Sequence, residues 1–367
     1  MKAVAVYPAK REVKVIDIPE PGKPGPSQVK LRMLEVGVCG TDKEICAWVY
    51  GSPPEGSDHF VLGHESLGEV MEIGPGVEDL RTGDLVVSTV RLPCPDAGCV
   101  PCRAGQYDFC STGHYREHGI MYLDGFMTEQ LVEERHNLHP VARELRDVGV
   151  LVEPLTIAEK ALLEVASIQQ RLPWGGPRGH RAVVLGAGPV GLLGVMLLVN
   201  AGYDTYIYSR SPKPNAKAAV GESIGAKYIS SEQTPVAQMA EEVGNIDLVY
   251  EAVGASQFAF EVLKHLGSNG IFVFTGVPRG EKPMEIDTER IMYNLVLKNQ
   301  VLLGTVNAGP LAFDNAVRDL GVFNTRWPQA LRAMITGHYP LEAFRDPVMG
   351  TAGGIKNVIA ISEAGKS

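Results

Sequence analysis

Apolar and polar residues alternate through the first third of the chain. Val4 and Val6, Val13 and Val15, and then Val29, Leu31 and Met33 repeat with period 2, the spacing that turns one face of a strand inward. Pro19, Pro21, Gly22, Pro24, Gly25 and Pro26 punctuate these runs as turns. Residues 67–72, 84–90 and 126–132 predict further strands, with Gly74-Pro75-Gly76 as a turn. Many short strands with glycine punctuation predict a compact, partly closed β-domain over roughly residues 1–150. Within it, 36–39 ends a strand or turn that delivers Cys39 and Thr41 into a cleft. Thr41-Asp42, both good caps, predicts a short helix there.

The texture changes after Val150. Leu155, Ala158, Ala161, Leu162 and Val165 are spaced for a helix over 153–170, and Trp174-Gly175-Gly176-Pro177-Arg178-Gly179 reads as a loop. Ala182-Val183-Val184-Leu185 is a continuous apolar run, suited to a strand buried on both faces. It feeds Gly186-Ala187-Gly188-Pro189-Val190-Gly191 and an apolar helix over 192–200. Short apolar runs at 206–208, 228–229, 248–250, 271–274 and 301–303 alternate with helical segments, which predicts a doubly wound parallel sheet. A mixed tail follows from about residue 310. Its 358–361 predicts one more strand, returning to the first domain. We find no internal repeat and no low-complexity tract.

Composition narrows this α/β picture. A length of 367 residues predicts two domains, and 45% hydrophobic residues suffice for sizeable cores. A net charge of −9 without a basic block argues against nucleic acid and anionic membranes as partners. No run approaches the ~20 apolar residues of a membrane span. The N-terminal apolar stretch is broken at Pro8, Lys10 and Arg11, too early for a secretory signal. We expect a soluble, cytoplasmic protein.

Three constellations carry chemistry. All six cysteines lie in the first third, and four of them, Cys94, Cys99, Cys102 and Cys110, fall within seventeen residues. Pro93, Pro95, Gly98 and Pro101 shape that stretch as a wrapping loop, suited to one closed, four-coordinate zinc rather than to disulfides. Reduced, buried thiols are the alternative, weakened by polar Asp96, Arg103 and Gln106. The second constellation is Cys39 with His64-Glu65: a thiolate, an imidazole and a carboxylate, the set zinc accepts when it keeps a position open, although a lone cysteine and a histidine after glycine are, taken alone, more often structural. Cys46, among Ile45, Ala47 and Trp48, reads as a core thiol. The third is Gly186-x-Gly188-x-x-Gly191 between strand and helix, the context that makes this motif a dinucleotide fingerprint. Gly186 serves the tight turn, Gly188 the approach of a pyrophosphate, and Gly191 helix–strand packing, with Pro189 and Val190 between them. The acidic residue that binds the NAD ribose is missing. Ser209, Arg210 and Lys213 stand there instead, suited to the 2′-phosphate of NADP, with NAD also possible. The alternative is that Arg210 and Lys213 form a solvated loop.

In this order, Gly37-Val38-Cys39-Gly40-Thr41-Asp42, Leu62-Gly63-His64-Glu65 with Gly68, the four-cysteine lobe and the glycine motif resemble zinc-dependent medium-chain alcohol dehydrogenases. Asp58-His59-Phe60-Val61, His118-Gly119-Ile120, Asp124-Gly125-Phe126-Met127, Leu151-Val152-Glu153-Pro154-Leu155 with Glu159-Lys160, and Gly304-Thr305-Val306-Asn307 narrow the resemblance to the glucose (aldose) 1-dehydrogenases of archaea and some bacteria. The resemblance covers nearly the whole chain. It implies a GroES-like β-rich catalytic domain over 1–155, with a structural zinc lobe at about 93–111 and completion by 308–367. A Rossmann domain over 156–307 and an active site in the cleft between them are implied with it. It implies a catalytic zinc on Cys39, His64 and Glu153, with Glu65 as exchangeable ligand, and Thr41 beside the reacting hydroxyl. Glu117 and Asn307, with Thr41, Glu65 and Glu153, match sugar-contacting positions, and Val306 and Asn307 also match cofactor positions. The implied reaction is oxidation of an aldose at C1 to the lactone, with hydride passing to NADP or NAD, in a homodimer or homotetramer. Two departures stand out. Four residues rather than two separate Cys94 from Cys99, which leaves Asp96 as an alternative ligand to Cys94. Val90 and Ile157 stand where some relatives place polar sugar contacts. A zinc polyol or secondary-alcohol dehydrogenase is the competing enzyme. A non-catalytic NADPH-binding member of the fold is the competing class.

Overall fold

The computed structural model describes residues 1–173, 176–278, 280 and 283–362. Trp174 and Gly175 of the expected 174–179 loop lie outside the described residues. The chain forms two compact units. The first comprises Met1–Thr156, Asn307–Arg326 and the chain from Leu331 on; the second comprises Ile157–Val306 with the short return Trp327–Ala330.

The first unit is β-rich, as the period-2 alternation requires. Strands Lys2–Tyr7 and Glu12–Asp17 form an antiparallel pair, with Val4, Val6 and Val13 buried. The main sheet centres on the long strand Gln28–Val38. It is flanked by Glu65–Ile73 on one side and Lys356–Ala360 on the other, both antiparallel to it. The tail therefore returns to this unit as one of its inner strands.

Two departures from the pattern bear on the site. The run at 126–132 gives a strand only over Gln130–Glu134. The N–H groups of Phe126 and Met127 donate instead to the carbonyls of Gly63 and Leu62, so this backbone braces the 62–63 loop rather than a ladder. The short helix is Gly40–Cys46 and is capped by Cys39, not by Thr41 or Asp42. Both lie inside its first turn, and the Asp42 carboxylate reaches back to accept the Cys39 N–H at 2.8 Å.

The second unit is a six-stranded parallel sheet in the order Lys227–Ser230, Asp204–Ser209, Arg181–Leu185, Ile246–Glu251, Leu266–Phe274, Val301–Gly304. Strand order reverses between Arg181–Leu185 and Ile246–Glu251, the switch point where doubly wound sheets bind ligands. The helix after the glycine turn starts three residues earlier than its apolar run, at Pro189, because proline suits the first helical turn. Leu192, Leu193, Val195, Met196 and Leu198 are buried around it. Among the described residues, no helix is long and apolar enough to cross a membrane.

Candidate active site and cofactor site

Antiparallel register assembles the candidate metal site. It pairs Gly37 with Glu65 and Val38 with Asn357, so the end of one strand meets the starts of two others. Cys39, His64-Glu65 and Lys356 therefore share one end of three adjacent inner strands of the main sheet. The strands pack closely there: a Cβ on Gly37 would lie 2.0 Å from Glu65 Oε2. Only glycine leaves that carboxylate its place.

The ligand atoms of Cys39, His64 and Glu65 all lie within 4.8 Å of one another. His64 Nδ1 faces Asp42 Oδ1 at 3.3 Å, which leaves Nε2 as the nitrogen for a metal. Burial works against the imidazolium, but the Asp42 carboxylate and the Cys39 sulfur outweigh it and hold His64 well above its usual pKa. Glu65 Oε2 is ion-paired with Lys356 Nζ, which also donates to the Val38 carbonyl at 3.2 Å. Glu65 Oε1, His64 Nδ1 and Asp42 Oδ1 are buried without a well-formed hydrogen bond. A soft sulfur, an imidazole and a carboxylate with orphaned polar atoms around them fit a zinc ion.

Glu153, expected as the regular third ligand, is not in this group of three, and Glu65 is. Glu153 is nevertheless close electrostatically. Burial, then the Glu65 carboxylate, push its carboxyl up to about 7. Thr41 sits in the first turn after Cys39. Burial, then the Asp42 carboxylate, push the Cys46 thiol up to about 12, which keeps it an inert core group.

The four lobe cysteines also converge, with all sulfurs within 4.8 Å and Cys99 Sγ 4.0 Å from Cys110 Sγ. A tetrahedral zinc with ~2.3 Å arms has edges of about 3.8 Å, so the spacing suits a metal and is far too long for a disulfide. The Ser111 hydroxyl and nearby backbone N–H groups pull Cys99 down to about 6; burial and the neighbouring sulfurs push Cys102 up to about 12. Asp96 lies outside the cluster. Its carboxylate accepts the Gly98 N–H at 2.7 Å, which accounts for the longer Cys94–Cys99 spacing as a turn.

Glu117 and Asn307 meet directly: the Asn307 amide donates to Glu117 Oε1 at 2.7 Å. The Asn307 carbonyl oxygen accepts its neighbour Ala308 N–H. Burial and the Glu117 carboxylate push the Tyr50 phenol up to about 12, so Tyr50 stays a hydrogen-bond donor beside it. Val90 is buried.

In the second unit, Gly186 takes φ 96° at the turn, and a Cβ on Gly191 would meet the Gly186 carbonyl at 2.3 Å. Gly188 caps the helix Pro189–Ala201 and has open space around it, room for a pyrophosphate at a free helix N-terminus. Ser209 ends its strand. Arg210 is exposed and only loosely paired, at 3.9 Å from Glu232. Lys213 is engaged with Glu222 at 2.7 Å, so Arg210 is the freer cation for a 2′-phosphate. Val306 is half exposed beyond the strand Val301–Gly304.

Three residues escaped the sequence reading: Asp42, Lys356 and Arg91. Asp42 stands three residues after Cys39, inside the first helical turn, where a carboxylate can reach back to the cap, and that was the available signal. Lys356 and Arg91 are buried cations in strand-like runs, and that conflict with their surroundings was theirs.

Comparison with known proteins agrees in both units. Residues 25–143 match the alcohol dehydrogenase GroES-like domain, and residues 146–361 match the family described as glucose dehydrogenase C-terminus. The chain is 38% identical to a glucose 1-dehydrogenase of Methanocella arvoryzae over 362 residues, covering 98% of this chain and 99% of that protein. It is 40% identical to one from Thermoproteus tenax over 365 residues, with 98% and 99% coverage. Its structure is similar to that of Haloferax mediterranei glucose dehydrogenase in complex with NADP, Zn and gluconolactone. That match has a TM-score of 0.89 and 34% identity, covering 99% of this chain and 100% of that one.

Proposed function

We propose a function from one premise: this chain belongs to the glucose dehydrogenase family. It is a zinc-dependent NAD(P)-linked oxidoreductase that oxidises glucose at C1 to the lactone with NADP as hydride acceptor, NAD being the alternative. The observation that carries this is the convergence of Cys39, His64 and Glu65 in a chain collinear with glucose dehydrogenases.

Cys39 and His64 would hold zinc with Glu65, and with Glu153 when Lys356 retains Glu65. Bound there, zinc supplies the Lewis acidity that favours loss of the C1 hydroxyl proton. Asp42 keeps His64 oriented and leaves Nε2 toward the metal. Thr41, in the turn just after Cys39, is our candidate to take that proton and pass it on. Glu117 and Asn307 orient sugar hydroxyls, since each buried polar group of a sugar needs a partner. NADP, when bound, accepts the hydride. The turn from Gly186 through Gly188, Pro189 and Val190 to Gly191 receives its pyrophosphate, and Ser209 and Arg210, with Lys213, its 2′-phosphate. Val306 and Asn307 complete the cofactor set. The lobe of Cys94, Cys99, Cys102 and Cys110 would hold a second zinc with no open position, a staple rather than a reagent.

Two further assignments are ours. The strand Val301–Gly304 is a sheet edge, and the neighbouring helix Thr288–Leu297 exposes Met292, Tyr293, Val296 and Leu297. An apolar face beside an open edge favours a homodimer, or a tetramer built from it, through this unit. Free cysteines grouped as metal ligands favour the reducing cytoplasm. Initial rates with glucose, galactose, xylose and xylitol, each with NADP and NAD, test the function. Aldose oxidation with NADP supports it; oxidation of the polyol alone overturns it.

A further inference from the structure

Strand pairing sets Arg91 opposite Glu117, and both side chains are buried. Arg91 places Nε at 3.0 Å and Nη2 at 2.9 Å from the same oxygen, Glu117 Oε1. Its Nη1 donates to the Asp108 carbonyl at 3.2 Å, and the guanidinium lies 3.7 Å from the Tyr115 ring centroid. Asn307 adds a third donor to Oε1. Glu117 Oε2 receives no hydrogen bond from the described residues. The donors from the described residues therefore converge on one oxygen of a buried carboxylate and leave the other open. A bare carboxylate oxygen in such surroundings calls for a donor from outside.

We propose that Arg91 is a positioning residue for substrate recognition: it fixes Glu117 so that Oε2 accepts one particular sugar hydroxyl. The proposal rests on the aldose reading of the site. Arginine suits the task because its planar fork carries only donors and lies over the Tyr115 ring. Without it, the carboxylate is free to turn and share its oxygens between Asn307 and water. The contacted hydroxyl then loses a preplaced acceptor, and the loss appears in substrate affinity rather than in the chemical step.

The test compares wild type, Arg91→Met, Arg91→Lys and Glu117→Gln on glucose and on the monodeoxyglucoses. For Arg91→Met we expect KM for glucose to rise about tenfold or more, with kcat changed much less, since hydrogen bonds to charged groups carry that much binding. The deoxy sugar that lacks the contacted hydroxyl should show nearly equal KM in wild type and variant. Glu117→Gln should single out the same deoxy sugar, and Arg91→Lys should show the same pattern at smaller size. If Arg91→Met does not fold, Arg91→Lys alone carries the comparison. An equal rise in KM for every sugar, or an unchanged KM for glucose in both Arg91 variants, overturns the proposal. Should Glu117→Gln show the selective pattern and the Arg91 variants not, the sugar site stands and the role of Arg91 falls. Absence of aldose oxidation in the wild type instead refutes the reading beneath it.

Discussion

At the scale of single residues, the site is an arrangement of buried charges that satisfy one another. Lys356 and Glu65 form an ion pair with almost no exposure on either side. Removing one partner leaves the other charged and unpaired in a low-dielectric place. Lys356→Met should therefore cost about 3–5 kcal/mol in the metal-free protein, read from denaturant titration. The double variant Lys356→Met/Glu65→Gln should recover most of that loss, because removing a buried pair together is far less costly than breaking it. Residue type and spacing made the lobe cysteines legible, since few other reasons gather four thiols in one polar loop, whereas Cys39 and His64 were legible only through the family resemblance. Asp42, Lys356 and Arg91 were not legible as site residues. Their roles come from what folding sets beside them, across the sheet for Lys356 and Arg91 and at a helix start for Asp42, which a linear pattern does not contain.

At the scale of elements, register does the positioning. The pairing of Gln28–Val38 with Glu65–Ile73 and Lys356–Ala360 is what brings Cys39 to Glu65 and Lys356. Gly37→Ala would drive a methyl group into Glu65 Oε2. We expect it to weaken zinc binding by about 10–100-fold, measured by chelator competition, as for other changes that displace a ligand's supports. Another buried carboxylate links elements: Glu133, on the strand Gln130–Glu134, lies 2.9 Å from His118 and accepts the Asn137 amide. Burial raises its pKa, but His118, Asn137 and the Glu134 N–H outweigh burial and hold it below 4.5, its ordinary value. Such a group binds fewer protons folded than unfolded. It adds stability above the unfolded value, and that stability is lost as pH falls through the folded one. Glu133→Gln should be less stable than wild type at neutral pH and show a shallower further loss below about pH 4.5. Most elements were legible from periodicity. Two of the exceptions, residues 126–129 and the cap of Gly40–Cys46, are places where backbone groups bond to distant loops or to a side chain three residues on.

At the scale of the whole molecule, a β-rich unit carries the metal ligands and a parallel-sheet unit carries the glycine turn, each with its own core. The shift from period-2 alternation to continuous apolar strands announced this division, because half-buried and fully buried strands differ in pattern. That the tail returns to the first unit as a strand was legible; the inner place of Lys356–Ala360 in the main sheet was not. That strand's neighbours are set by long-range pairing. Two separate candidate metal groups among the described residues predict about two zinc ions per chain by elemental analysis. Cys99→Ser should lose one of them. Most direct of all is the glucose-dependent rate of NADP reduction, followed before and after chelation and again after zinc is restored, in wild type and in Cys39→Ser. The rate should vanish with the metal, return with zinc in the wild type, and stay near zero in Cys39→Ser. Full activity in the zinc-free wild type, or in Cys39→Ser, would contradict a zinc-dependent glucose dehydrogenase built on Cys39 and His64.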